Sequence, residues 1–204
     1  MKRTTLGVAV ATLTFLIGFS ATAVWLNRSH APKRCVSDSY FPGGVLGRPE
    51  GKAKLLGEYY SALMESPFSC LDEEAEAYRF LFMPSFDPAI SIRVWRAGGQ
   101  KYITVKQLSG IGYPPGEAKD LKVNVTRSLT EQEWNRFQEL LAKSDFWSMP
   151  MADVKPSGID GANWLLEGKK SGKYHVVDRW MPEDQNFLDA CGYLFEISGL
   201  KLKQ

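Results

Sequence analysis

The chain has 204 residues and a net charge of +2, and 44% of its residues are hydrophobic. That is enough for one ordinary domain with a sizeable core and a tail. The charge belongs to the N-terminus: beyond Lys2 and Arg3 the chain holds 23 basic and 23 acidic side chains, a balance that excludes nucleic-acid binding driven by a basic surface. Three cysteines and two histidines, with no C-x-x-C pair, exclude the common zinc spacings, and no cofactor is expected.

From Leu6 to Leu26 no side chain is charged, a length that suits one helical crossing of a bilayer. Two basic residues precede it and Ala21-Thr22-Ala23 offers a cleavage site, so residues 1–26 read as a signal-anchor, or as a cleaved leader of a secreted product. The expected placement is a single pass through the inner membrane with the folded part in the periplasm. Residues 27–51, rich in Gly, Pro and small polar residues, read as a linker, and residues 52–204 as one domain. In an oxidising compartment a disulfide is permitted, and Cys70 with Cys191 is the expected pair because both fall within the domain.

Within the domain, Leu55, Leu56, Tyr59, Ala62 and Leu63 recur at helical spacing over Lys52 to Glu65, and Ser66-Pro67 stops the run. The acids Asp72, Glu73, Glu74 and Glu76 lack calcium-loop spacing. Tyr78 to Met83 predicts a strand, and Ile90 to Leu108 a hairpin about Gly98-Gly99. Pairing Ala97 with Gln100 puts Ile90, Ile92, Val94, Ile103 and Val105 on one face and Arg93, Trp95, Tyr102, Thr104 and Lys106 on the other. Leu121, Val123 and Val125 alternate as a further strand. Thr130 and Glu133 form a capping box, with Leu129 and Trp134 as its staple, opening a helix to about Ser144.

The densest polar and aromatic stretch is Asp160 to Trp180. A three-residue loop, Lys170-Ser171-Gly172, would set Glu167 opposite His175 and Leu165 opposite Val177. Trp164, Leu166, Tyr174, Val176 and Trp180 then share an apolar face, leaving Asn163, Glu167, Lys173, His175 and Arg179 on the other. Pro182 opens a last helix carrying Phe187, Ala190, Cys191, Leu194 and Ile197 on one stripe, ended by Gly199. The fold class is α+β: a mainly antiparallel sheet with helices packed on one side, preceded by one N-terminal hydrophobic helix.

Three segments carry a resemblance: L-T-x-x-E-W-x-x-F from Leu129, F-W-x-M-P from Phe146, and D-G-A-x-W-x-L-E-G with Y-H-x-V-D-R-W from Asp160 to Trp180. They resemble a group of uncharacterised bacterial envelope proteins, a likeness that covers about the last 80 residues and implies no activity. From the residues themselves, Asp160, Asn163, Glu167, His175, Asp178 and Arg179 are the candidate binding set. The expected role is binding of another protein or a cell-wall component without catalysis. The alternatives are a hydrolase using the carboxylates near the hairpin, and a protector against a secreted toxin.

Overall fold

The computed structural model describes residues 40–46, 51–72, 75–111, 120–152, 158 and 160–200. The expected anchor at residues 6–26 and the linker before residue 40 lie outside the described residues, among which no helix is long and apolar enough to cross a membrane. Helix α1 (Gly51–Ala62) leads into strands β1 (Glu76–Pro84), β2 (Ile90–Ala97), β3 (Gln100–Leu108) and β4 (Leu121–Ser128). Helix α2 (Glu131–Lys143), strands β5 (Ala162–Lys170) and β6 (Lys173–Trp180), and helix α3 (Gln185–Ser198) follow.

All six strands join one antiparallel sheet in the order β4-β3-β2-β1-β5-β6. The α+β class and the antiparallel sheet are therefore as expected. Alternation along the strands divides the interior into two layers of core. Tyr78, Phe80, Ile92, Val94, Ile103, Val105, Leu166 and Val177 face α2 and α3. Leu81, Met83, Leu165 and Val176 face the other way, against Leu56, Tyr60 and Leu63 on and just after α1. The helices are thus divided between the two faces, a correction to packing on one side only: helical spacing identifies an apolar stripe but not which side of the sheet receives it. Part of the expected linker also belongs to the fold, since Phe41 and Leu46 are buried in the α1 layer. Tyr40 OH donates to the Glu65 carbonyl at 3.2 Å.

The local signals that act within a few residues are realised. Gly98 and Gly99 both have positive φ, and Ala97 pairs with Gln100 in the expected register. At α2, Thr130 Oγ1 accepts from Glu133 N at 3.1 Å, while Glu133 Oε2 accepts from Thr130 N at 2.8 Å. Arg127 and this cap hold the Glu133 carboxyl down at about 2, against an ordinary 4.5. Thr130→Ala is expected to destabilise the domain by about 1 kcal/mol in denaturant unfolding, because the Glu133 N–H loses its acceptor and Glu133 Oε2 loses the hydroxyl that helps hold it over the cap.

The expected Cys70–Cys191 bridge is not formed: Cys70 is disulfide-bonded, but Cys191 is a free, buried thiol. Cys191 lies in the layer under α3, whereas Phe68–Cys70 belongs to the connection on the α1 side. The sheet lies between them, far beyond the few ångströms a disulfide spans.

Candidate functional site

The β5–β6 turn has two residues, Ser171 and Gly172, both at positive φ (49° and 75°), and Lys170 pairs with Lys173. This is the left-handed pair that follows strand twist, so the loop is one residue shorter than expected. One residue of slip turns a strand over. Glu167 faces Val176 and His175 faces Gly168, so the expected Glu167–His175 pair does not exist. The candidate residues fall on opposite sides of the sheet: Asn163, Glu167 and Asp178 toward α1, His175 and Arg179 toward α2 and α3.

His175 packs with its ring 5.1 Å from Phe146 and 6.2 Å from Trp147. Burial lowers its pKa, opposed only in part by hydrogen bonds to the Met149 and Phe146 backbone. It is a neutral packing residue at neutral pH. Arg179 donates to the carbonyls of Pro150 (Nη2, 2.6 Å) and Asp178 (Nη1, 2.8 Å), fastening β6 to the loop before β5.

On the α1 side Glu167 belongs to a buried ionic centre built on Arg79, a residue absent from the candidate set. Arg79 is fully buried on β1, next to Glu167 on β5 in the ladder. Its Nε and Nη2 both engage Glu167 Oε1. Nη1 donates to the Ser66 carbonyl at 2.8 Å and to Glu65 Oε2 at 3.2 Å. The guanidinium lies 3.7 Å above the Tyr60 ring and 4.6 Å from that of Phe68. Tyr174 OH completes Glu167 by donating to Oε2 at 2.8 Å.

Glu65 reaches the centre because the chain turns sharply after α1, with Met64 at φ 54°. Its carboxylate meets Arg93 Nη1 at 3.3 Å, Lys106 Nζ at 3.2 Å and Ser91 Oγ at 3.3 Å. Burial raises the Glu65 pKa, but Arg93, Arg79 and Lys106 outweigh it and hold the carboxyl below its ordinary value. Burial pulls Arg93 and Lys106 below theirs, with Glu65 opposing in each case. These groups face one another inside the protein, tying α1 and the turn after it to five strands of the sheet, although Tyr60 OH and Arg93 Nε have no hydrogen-bond partner of their own among the described residues. Their chemistry is positional.

A pH dependence follows with a definite sign. The unfolded Glu65 carboxyl takes up its proton near the ordinary 4.5, whereas the folded one does so only at lower pH. Between those points the unfolded state binds more protons, so stability present at neutral pH is lost as the solution is acidified. Glu65→Gln is expected to flatten that acid limb in urea midpoints measured from neutral pH downward.

A buried arginine of this kind is legible in principle. Tyr78, Phe80 and Phe82 alternate with Ala77, Leu81 and Met83, so β1 is apolar on both faces and lies inside the sheet. A single arginine within such a run requires a buried partner.

The remaining candidates meet at the open end of the β5–β6 hairpin. Asp178 is 1% exposed, pairs with Lys52, and accepts from Asn163 Nδ2 at 2.8 Å. Its backbone N donates to the Met151 carbonyl at 2.8 Å. Ser85 N donates to the Gly161 carbonyl at 2.8 Å, and Gly161 N to Ser85 Oγ at 3.1 Å, so the β1–β2 connection is fixed to the start of β5. Gly161, at φ 146°, is required here: a Cβ would lie 2.9 Å from Met181 Cγ and Sδ and 3.0 Å from Trp180 Cζ2. Met181 takes φ 45°, and its sulfur accepts from Ala162 N at 3.3 Å.

This held backbone presents apolar side chains to solvent. Phe86 is 69% exposed, Met181 53% and Met151 41%, and Trp180, half-buried, lies against Gly161. Asp160 is exposed next to Gly161. The three acids of the hydrolase alternative are therefore unlike one another: Glu167 and Asp178 are enclosed in separate ion pairs, and Asp160 stands in solvent. They do not line one cleft. Comparison of the chain with protein-family models, with curated proteins and with solved structures finds no match.

Proposed function

We propose that the chain is a membrane-tethered, extracytoplasmic interaction domain that acts without catalysis and seats a partner protein on the open end of the β5–β6 hairpin. The observation that carries this reading is the exposure of Phe86, Met181 and Met151 over a backbone locked by Gly161 and a left-handed Met181. Large exposed apolar side chains on segments joined by backbone hydrogen bonds are a common mark of partner surfaces, and positive φ at a non-glycine residue is retained where something requires it. Methionine suits such a surface because its unbranched thioether adapts to the shape it meets. The tether is read from the uncharged run at Leu6 to Leu26, and the disulfide at Cys70 is consistent with an oxidising compartment.

The test places photoreactive benzoylphenylalanine at position 86 of the full chain, and at exposed Lys122 on β4 as a control. Illumination in envelope extract is expected to give a saturable adduct at 86 that unlabelled protein displaces, and none at 122. Equal labelling at both positions would defeat the reading. So would turnover of glycan or ester substrates that Asp160→Asn abolishes.

A further inference from the structure

Three exposed aspartates stand on the described segments that meet at this end. Asp87 follows Phe86, Asp160 precedes Gly161, and Asp184 lies three residues beyond Met181; all three are exposed. Asp87 and Asp160 have no ion-pair partner among the described residues, while Asp184 caps α3, accepting from Phe187 N at 2.8 Å. Of the cations described near this end, Lys52 is offset by Asp178, and Arg179 is turned to the α2 and α3 side, on the Pro150 and Asp178 carbonyls. The end thus combines exposed Phe86, Met151 and Met181 with the carboxylates of Asp87, Asp160 and Asp184 on adjoining segments.

Resting on the reading of this end as an interface, we infer that its partner is a protein segment whose apolar side chains are flanked by lysine or arginine. The apolar groups supply contact area, and the carboxylates speed encounter and select against acidic partners. An anionic membrane surface would be repelled by the same carboxylates. The long-range part of the attraction falls with salt, over a screening length of about 8–10 Å at physiological ionic strength.

The test uses the full chain in nanodiscs of zwitterionic lipid and three labelled helical peptides: leucine with lysine, leucine with glutamate, and serine with lysine. Fluorescence anisotropy is expected to show saturable binding of the leucine–lysine peptide, with the other two weaker by about tenfold or more. Asp87→Asn with Asp160→Asn is expected to weaken it about tenfold and to shrink its salt dependence. Phe86→Ser, at a side chain mostly in solvent, removes the apolar contribution without disturbing the core. Glu139→Gln with Glu196→Gln, on exposed α2 and α3 positions elsewhere, is expected to change nothing.

Equal loss from both pairs of carboxylate changes, or binding of the leucine–glutamate peptide as tightly as its lysine counterpart, overturns the inference. If position 86 crosslinks a partner whose capture survives both Asp87→Asn with Asp160→Asn and high salt, the interface stands and the basic partner falls. If position 86 yields no specific adduct, both fall.

Discussion

Arg79→Met is expected to lower the unfolding free energy by about 3–5 kcal/mol, because it leaves the Glu167 carboxylate buried without its cation. For a domain of this size that is a fall in melting temperature of roughly 2–4 °C per kcal/mol. The informative companion is the double change of Arg79→Met with Glu167→Leu. Removing both charges abolishes the stranded carboxylate, and Glu65 keeps Arg93 and Lys106. The double variant is expected to recover much of the loss, so that the cycle gives a large coupling energy. If the two single changes were additive, the ion pair at the centre of the α1 layer would be energetically idle. Tyr174 gives a second readout: burial, followed by the Glu167 charge, raises its hydroxyl pKa. Glu167→Leu, which removes that charge and the acceptor but not the burial, is expected to bring it down toward the usual tyrosine range.

Gly168→Ala is expected to destabilise by about 1–3 kcal/mol, the cost of overpacking a filled core. Gly168 pairs with Tyr78 in the ladder, and the tyrosine ring lies across it: a Cβ would stand 2.8 Å from Tyr78 Cδ1 and 3.0 Å from Phe146 Cε1. Neither ring can swing aside, since Tyr78 is held edge-on to Phe137 at 5.4 Å and Phe146 edge-on to Trp147 at 5.2 Å. The change therefore strains β1, β5 and the Phe146–Ser148 turn together. Thermal unfolding measures the cost, and loss of near-ultraviolet dichroism from the aromatic cluster shows where it falls. An unchanged melting temperature would mean that Tyr78 has somewhere else to go.

What the sequence made legible depended on how far each signal acts. Gly98-Gly99 and the Thr130–Glu133 box work through adjacent backbone, and both appear with the expected register and partners. The second hairpin failed by one residue because Lys170-Ser171-Gly172 supports two loop lengths, and the shorter needs Ser171 itself at positive φ. That single residue separated His175 and Arg179 from Glu167. The disulfide failed for a different reason, since three cysteines in a sequence say nothing about which lie on the same side of a sheet. The exposed end at Phe86, Met151 and Met181 unites segments that are far apart in the chain, so only the folded arrangement displays it. Asp160 and Asp178 were singled out from the sequence, yet their roles there, an exposed charge and a buried counter-ion to Lys52, were decided by neighbours no local pattern names.

Cys191 adds a property of a different kind. Burial raises its thiol pKa well above the ordinary value and leaves the sulfur without access to solvent. While α3 stays docked, alkylating reagents and oxidants have nothing to attack; once it lifts, they reach the thiol, although the sheet still separates it from the bridge at Cys70. The rate at which a small maleimide tags Cys191 would therefore time the opening of the α3 layer. In an oxidising medium, modified molecules would accumulate at a rate set by the fraction of time α3 spends open, so the domain's working lifetime would follow the stability of that one layer.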